Sequence, residues 1–168
     1  LDDNLSTAGD NATFSRTFDV TVNPLNDAPT LNAIGNISIA EDAAQQTVNL
    51  AGMTAGGGES QPLRVTSTSS NTGLIPNPAV TYTSANATGS IAFTPVTDQS
   101  GTATITVTVE DGGLDNNLST AGDNATFSRT FDVTVNAGND APTLIALTNV
   151  SIAEDAAQQT VNLAGITA

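Results

Sequence analysis

The 168-residue sequence has no cysteine, no histidine and no tryptophan, and its basic residues are three arginines, Arg16, Arg64 and Arg129, with no lysine. Without cysteine there are no disulfide staples and no thiol chemistry. Without histidine the commonest general base and the commonest transition-metal ligand are both missing. Without lysine, Lys–Asn isopeptide crosslinks cannot form, so stiffness has to come from packing or from bound ions. No stretch approaches the ~20 apolar residues of a membrane helix. Nothing resembles a signal peptide, as expected of an internal portion of something longer. Against the three arginines stand 17 acidic residues, for a formal net charge of -14. That charge repels nucleic-acid phosphates and anionic membrane surfaces, so neither is an expected partner, and it favours cations.

What is present is a repeat. Residues 1–55 and 114–168 align without a gap at an offset of 113, and eight of the 55 aligned positions differ, among them Asp3 against Asn116, Pro24 against Ala137 and Met53 against Ile166. Copies this similar imply recent duplication and a longer array. The period suits one β-sandwich domain of about 100 residues rather than a solenoid. Its natural boundary is Asn26-Asp27-Ala28-Pro29, repeated as Asn139-Asp140-Ala141-Pro142. The expected organisation is therefore the C-terminal part of a preceding repeat in 1–25, a complete repeat in 26–138 and the N-terminal part of the following repeat in 139–168. A lone end strand and a lone domain head need support, most simply from neighbouring copies in a fibre.

The strand pattern is regular. In residues 102–110, Ala103, Ile105, Val107 and Val109 alternate with threonines, the period-2 signature of a half-buried strand. Residues 128–135 continue it, with Phe131, Val133 and Val135 inward. Arg129 shares that parity, which places it near the sheet end or beside a carboxylate. Further strands are expected at 36–40, 46–51, 63–69, 79–84 and 90–94, with Val80, Tyr82, Ile91 and Phe93 as core. β-Branched residues dominate and no segment keeps a 3.6-residue period, so the fold class is all-β: tandem β-sandwich repeats of about seven strands.

Paired carboxylates such as Glu41-Asp42 and Glu110-Asp111 suit acid–base work of the glycosidase kind. However, they sit beside strand ends in a small domain with one tyrosine to stack a sugar, and an active site repeated along an array would be odd. No enzyme is expected. Calcium takes several carboxylate and carbonyl oxygens in flexible geometry, and Asp, Asn and Gly in loops supply them. The acids Asp27, Glu41, Asp42, Glu59, Asp98, Glu110 and Asp111 gather at loop and strand-end positions, whereas outward strand positions carry Thr and Ser. The alternative is charge for solubility with no ion. The loop from Asp111 to Asn117, rich in Asp, Asn and Gly, suits a local ion or simply a turn. Seven Asn-x-Ser/Thr triplets, at Asn4, Asn11, Asn36, Asn86, Asn117, Asn124 and Asn149, permit glycosylation, although a sequence rich in these residues also makes such triplets by chance.

The Asn-Asp-Ala-Pro segments, the stretch from Ile37 to Asp42 and the strand ending Val109-Glu110-Asp111-Gly112-Gly113 together resemble the bacterial cadherin-like repeats of giant surface adhesins and fibres. The resemblance implies calcium held between domains by three sources: the upper domain's base, the linker and the next domain's rim. Glu41 matches the early glutamate of the upper domain, and its copy in the following unit is Glu154. Asp98 loosely matches the middle acidic motif, and Asp42 lies beside Glu41. Asn139 and Asp140 match the linker, the asparagine through its carbonyl oxygen, as do Asn26 and Asp27 for the preceding junction. Asp111 matches the late aspartate of the lower domain, with Glu59 near its other rim acids. Pro24 and Ala137 stand where cadherin linkers carry another Asp, and the linker proline comes one residue early, so fewer ions per junction than in cadherins are expected.

The expected function is a structural extracellular stalk or filament repeat at the cell surface, rigidified by calcium and supporting adhesion or fibre assembly. Its partners are neighbouring repeats of the same protein, or copies in a fibre. The alternative is an adhesion module that binds a polysaccharide or another cell, and an aromatic content of 4% argues against sugar stacking.

Overall fold

The computed structural model describes residues 13–167. Seven strands form in chain order: β1 (Ile37–Ala40), β2 (Gln46–Ala51), β3 (Leu63–Ser69), β4 (Ala79–Thr81), β5 (Thr88–Phe93), β6 (Gly101–Asp111) and β7 (Thr126–Asn136). They make two sheets, one in the order β1-β7-β6-β3 and the other β2-β5-β4. Neighbours are antiparallel except β1 and β7, which run parallel with Ile37 opposite Val133 and Ala40 opposite Asn136. The fold is an all-β sandwich, as the alternation demands.

The inward residues of β6 and β7, namely Ala103, Ile105, Val107, Val109, Phe131, Val133 and Val135, meet Leu50, Ile91 and Phe93 of the opposite sheet in one continuous core. The stretch before β1 ties the sheets together. The amide of Thr30 donates to the Thr54 carbonyl and that of Asn32 to the Ala51 carbonyl, beside β2, before the chain crosses to β7. Arg129 does not turn inward or meet a carboxylate. Its side chain is exposed, lies over the Phe127 ring at 4.8 Å and donates through Nε to the Leu31 carbonyl at 3.2 Å. Nor is it at the sheet end, since it stands opposite Val107 within β6; a guanidinium cannot enter an apolar core unpaired, so it covers an aromatic face instead.

The strands set two ends. At one lie the close of β6 and the start of β7, with the start of β3. At the other lie the close of β1, β5 and β7 and the start of β6. Arg64 on β3 pairs with Glu110 on β6, Nη2 to Oε2 at 2.5 Å, and the arginine side chain is 49% exposed. Arg64→Ala should therefore cost about 1 kcal/mol or less in urea denaturation, because solvent screens such a pair and side-chain entropy opposes it.

Outside the sandwich, the same residue types stay in solvent. Residues 13–25 form no strand, and Phe18 there is 84% exposed, whereas its repeat counterpart Phe131 is 2% exposed. In the C-terminal segment the isolated bridge between Thr143 and Thr167 copies the one between Thr30 and Thr54, yet Leu144, Val150, Ile152 and Leu163 are exposed. The part of the 1–25 unit in residues 1–12, with the triplets at Asn4 and Asn11, lies outside the described residues.

Candidate metal centre at the domain ends

At the end where β1, β5 and β7 close, two tight turns carry the acids. Asp42 follows β1 and Asp98 precedes β6, both in the left-handed region (φ 57°), which aspartate tolerates better than most residues. The Asp98 amide donates to Asp42 Oδ1 at 3.2 Å and so ties one turn to the other. Asp140, in the segment following the sandwich, joins them: the three exposed residues each offer a carboxylate oxygen, and these oxygens lie within 4.8 Å of one another. A cleft of about 400 Å³ lined by Asp98, Asp140, Ala141, Thr143 and Thr167 adjoins them. Glu41 is next to this group, its Oε1 accepting the Gly138 amide and holding the chain as it leaves β7. The neighbouring Asn139 donates through Nδ2 to the Asp140 carbonyl at 3.5 Å. Glu154 sits exposed in a turn of the C-terminal segment, and the adjacent Asp155, copy of Asp42, has the same left-handed backbone (φ 62°).

The opposite end is built around Asp111, which is fully buried. Its Oδ1 accepts from Asn26 Nδ2 at 3.1 Å, from the Gly113 amide at 3.0 Å and from the Ala125 amide at 2.9 Å. Asn26 also donates to the Asp123 carbonyl at 2.8 Å, and its Oδ1 accepts from Gln61 Nε2 at 2.7 Å. Asn26 thus spends both halves of its amide fastening the entering chain to the sandwich. The Asp27 amide donates to Glu59 Oε2 at 3.2 Å, while the Asp27 side chain is exposed. Three buried oxygens at this end, Asp111 Oδ2, Gln61 Oε1 and Asn124 Oδ1, have no hydrogen-bond partner. Gln61 and Asp123 carried no sequence signal beyond their proximity to acidic motifs, and Asn124 only its Asn-x-Thr triplet, because burial, not residue type, sets their role.

The loop after Asp111 turns tightly, with side-chain oxygens accepting its amides. Asp115 Oδ1 accepts the Asn117 amide at 2.9 Å and Asn117 Oδ1 accepts the Ser119 amide at 3.0 Å, while Asp123 Oδ2 accepts the amides of Leu114 and Asp115. Asp115 Oδ2 accepts the Thr120 hydroxyl as well. The seven sandwich strands are thus capped by two polar ends of different make-up: one opens three carboxylates to solvent, the other buries its aspartate.

The donor set of the open end fits a hard divalent cation. It is all oxygen, it is exposed, and the chain lacks the imidazole and thiolate that softer metals select.

Solved structures similar to this chain include S-layer protein SbsC domains 4 and 5 (16% identity, TM-score 0.41, covering 67% of this chain and 54% of that one). Also similar are titin domains Z1Z2 in complex with telethonin (15%, 0.39, 74% and 55%) and a PapD-like domain of human CEP192 (8%, 0.39, 77% and 99%). The chain spans about half the length of the first two. No curated protein matches the sequence. A family model described as a bacterial Ig domain matches residues 26–121, more than half of the sequence and all but the last of the seven strands. The chain belongs to the bacterial Ig domain family.

Proposed function

We propose that this chain is a structural repeat of an extracellular stalk or filament at the cell surface, and that calcium bound between consecutive repeats makes the array stiff. The repeat units of the proposal are 1–25, 26–138 and 139–168. The observation that carries it is the approach of Asp42 and Asp98, on the rim of one sandwich, to Asp140 in the segment that follows it. The linker resemblance to bacterial cadherin-like repeats supports the same placement.

The two ends of the chain sample the same junction from opposite sides, because Asp27 and Asp140 are equivalent in the repeat. Seen from below, the linker aspartate gives its amide to Glu59 of the domain it enters. Seen from above, its carboxylate reaches the Asp42 and Asp98 rim of the domain it leaves. One residue thus joins two modules. Without a cation, carboxylates this close repel by about 1 kcal/mol per pair in water and about 4 kcal/mol at an effective dielectric of 20, which opens the hinge. A divalent cation reverses that sign and holds the two domains at one angle. With few protein ligands, affinity in the roughly 10⁻⁴–10⁻³ M class of extracellular modules is expected. The bound ion supplies charge and coordination, and the chain supplies oxygens and a short tether.

Calorimetric titration with calcium tests the site. The native chain should give a saturable heat, and Asp98→Ala or Asp140→Ala should weaken binding at least tenfold. The lack of cysteine allows clean labelling at Thr66→Cys and Thr148→Cys, where calcium should narrow the distance distribution between the labels. Equal heats in all three proteins, or a distribution unchanged by chelator, would dismiss the proposal.

A further inference from the structure

An Asn-x-Ser/Thr triplet accepts an N-linked glycan only where its asparagine nitrogen and its hydroxyl are both within reach of a transferase. The sandwich takes most of its own triplets out of reach. Asn36 Oδ1 accepts the Asp132 amide at 2.9 Å, and the hydroxyl of Ser38, inside β1, accepts from Asn136 Nδ2 at 2.9 Å. Asn149 is the repeat counterpart of Asn36. Asn124 has a buried Oδ1, and its Nδ2 donates to Glu110 Oε1 at 3.2 Å. Asn86 is exposed, but its amide donates to the Thr83 carbonyl and its carbonyl accepts the Tyr82 hydroxyl. The hydroxyl residue of that triplet, Thr88, is paired with Ala51 in the sheet.

Asn117-Leu118-Ser119 differs from these. All three residues lie off the strands in the loop between β6 and β7, and Asn117 and Ser119 are exposed. Leu118 between them is half-buried. It lines a cleft of about 390 Å³ together with Leu63 and Val65 of β3, Val80 of β4 and Tyr82, and so holds the triplet against the side of the sandwich. The Asn117 amide donates to Asp115 Oδ1 at 2.9 Å, and Asn117 Oδ1 accepts the Ser119 amide at 3.0 Å. With the oxygen of a planar amide turned back onto the chain, its nitrogen faces the other way. Among the described residues, neither Asn117 Nδ2 nor the Ser119 hydroxyl has a hydrogen-bond partner.

We infer that Asn117 is the N-glycosylation site of the repeat and that the donor is a glycosyl diphosphate. Nδ2 attacks the anomeric carbon, and a C–N bond forms as the C–O bond to the diphosphate breaks. The diphosphate leaves on its lipid or its nucleoside, and the proton lost from Nδ2 passes to solvent. Lipid-linked and nucleotide-linked donors share this chemistry. One glycan in each 113-residue period would stand beside β3 and β4, each the free edge of its sheet, and shield backbone groups that neighbouring chains could pair with. Neither calcium nor the stalk reading enters this inference, so the two fail independently.

The test uses the full-length chain carrying Asn4→Gln, Asn11→Gln and Asn149→Gln, which keeps the triplets at Asn36, Asn86, Asn117 and Asn124. One arm supplies a membrane oligosaccharyltransferase with a lipid-linked oligosaccharide. The other supplies a soluble N-glycosyltransferase with a nucleoside-diphosphate hexose. Each enzyme is first shown to modify all of these triplets as short peptides. Site-resolved mass spectrometry of the folded chain should find Asn117 at least tenfold more occupied than Asn36, Asn86 or Asn124 in at least one arm, and the arm that reacts identifies the donor. Ser119→Ala, which keeps the amide that binds Oδ1 and removes only the hydroxyl, should lose the glycan. An Asn117 left bare in both arms, or occupied no more than the other sites, overturns the inference, and so does a Ser119→Ala chain that is modified as well as its parent.

Discussion

Replacing Asp111 by alanine should cost about 3–4 kcal/mol, a large part of the roughly 5–15 kcal/mol that holds a domain of this size together. The aspartate is fully buried, and its Oδ1 accepts three donors. Asn26 Nδ2 would keep the Asp123 carbonyl, but the amides of Gly113 and Ala125 would lose the acceptor they share. A buried donor left unpaired costs about 1–3 kcal/mol. Because Asn26 bridges Asp111 to Gln61, the entering chain should loosen as well. Urea denaturation with amide hydrogen exchange checks this: the midpoint should fall sharply, and the amides of Gly113 and Ala125 should lose protection first. Asp111→Asn keeps an oxygen in place and should recover part of the loss. A cost below about 1 kcal/mol for alanine would mean that the hydrogen bonds at this end contribute little.

Gly56→Ala is the second large effect. Gly56 has φ +95°, and an added Cβ would lie 2.3 Å from the Ala28 carbonyl oxygen and 3.0 Å from the Asp27 carbonyl oxygen. Those are backbone atoms of the linker, which cannot swing aside as a side chain does. A cost on the order of 2–4 kcal/mol is expected from the strained backbone and the displaced linker together. Gly58→Ala is the matched control: φ is +85°, but nothing lies within 4 Å of the added Cβ, so backbone strain alone, about 1 kcal/mol, should appear. Thermal unfolding of the two variants separates the terms. Equal shifts would show that contact with residues 27 and 28 is not what selects glycine at position 56.

Much of the strand architecture is legible in the chain. The alternation of Ala103, Ile105, Val107 and Val109 with threonines, and of Phe131, Val133 and Val135 with polar residues, marks β6 and β7 within a residue or two of their observed ends. A period of two is a local property, and burying one face leaves it written in consecutive residues. The expected strand at 79–84 is cut short: β4 stops at Thr81, and the chain then turns, the Asn86 amide donating to the Thr83 carbonyl and the Tyr82 hydroxyl to the Asn86 carbonyl at 3.0 Å. Those hydrogen bonds join residues of one turn, and no hydrophobic pattern reveals them.

The acids divide the same way. Their concentration in turns is visible in the sequence, and so is the repetition that makes Asp27 and Asp140 equivalent. Their division into an open rim and a buried anchor is not. Asp42, Asp98 and Asp140 meet because the turns after β1 and before β6 and the exit from β7 share one end of the sandwich. Asp111 differs from them by position alone: it is the last residue of β6, on the inward parity of that strand, where three donors converge.

By itself, the sequence determined the all-β class, the 113-residue period, the inward faces of the long strands and the supply of oxygen ligands without nitrogen or sulfur ones, because composition and periodicity act on neighbouring residues. Only the tertiary structure decided that β1 runs parallel to β7, that Asn26 is an anchor and that Asp111 is buried. Those outcomes depend on contacts between residues some 85 to 98 positions apart, and a segment's own residues carry no record of which distant partners will cover them.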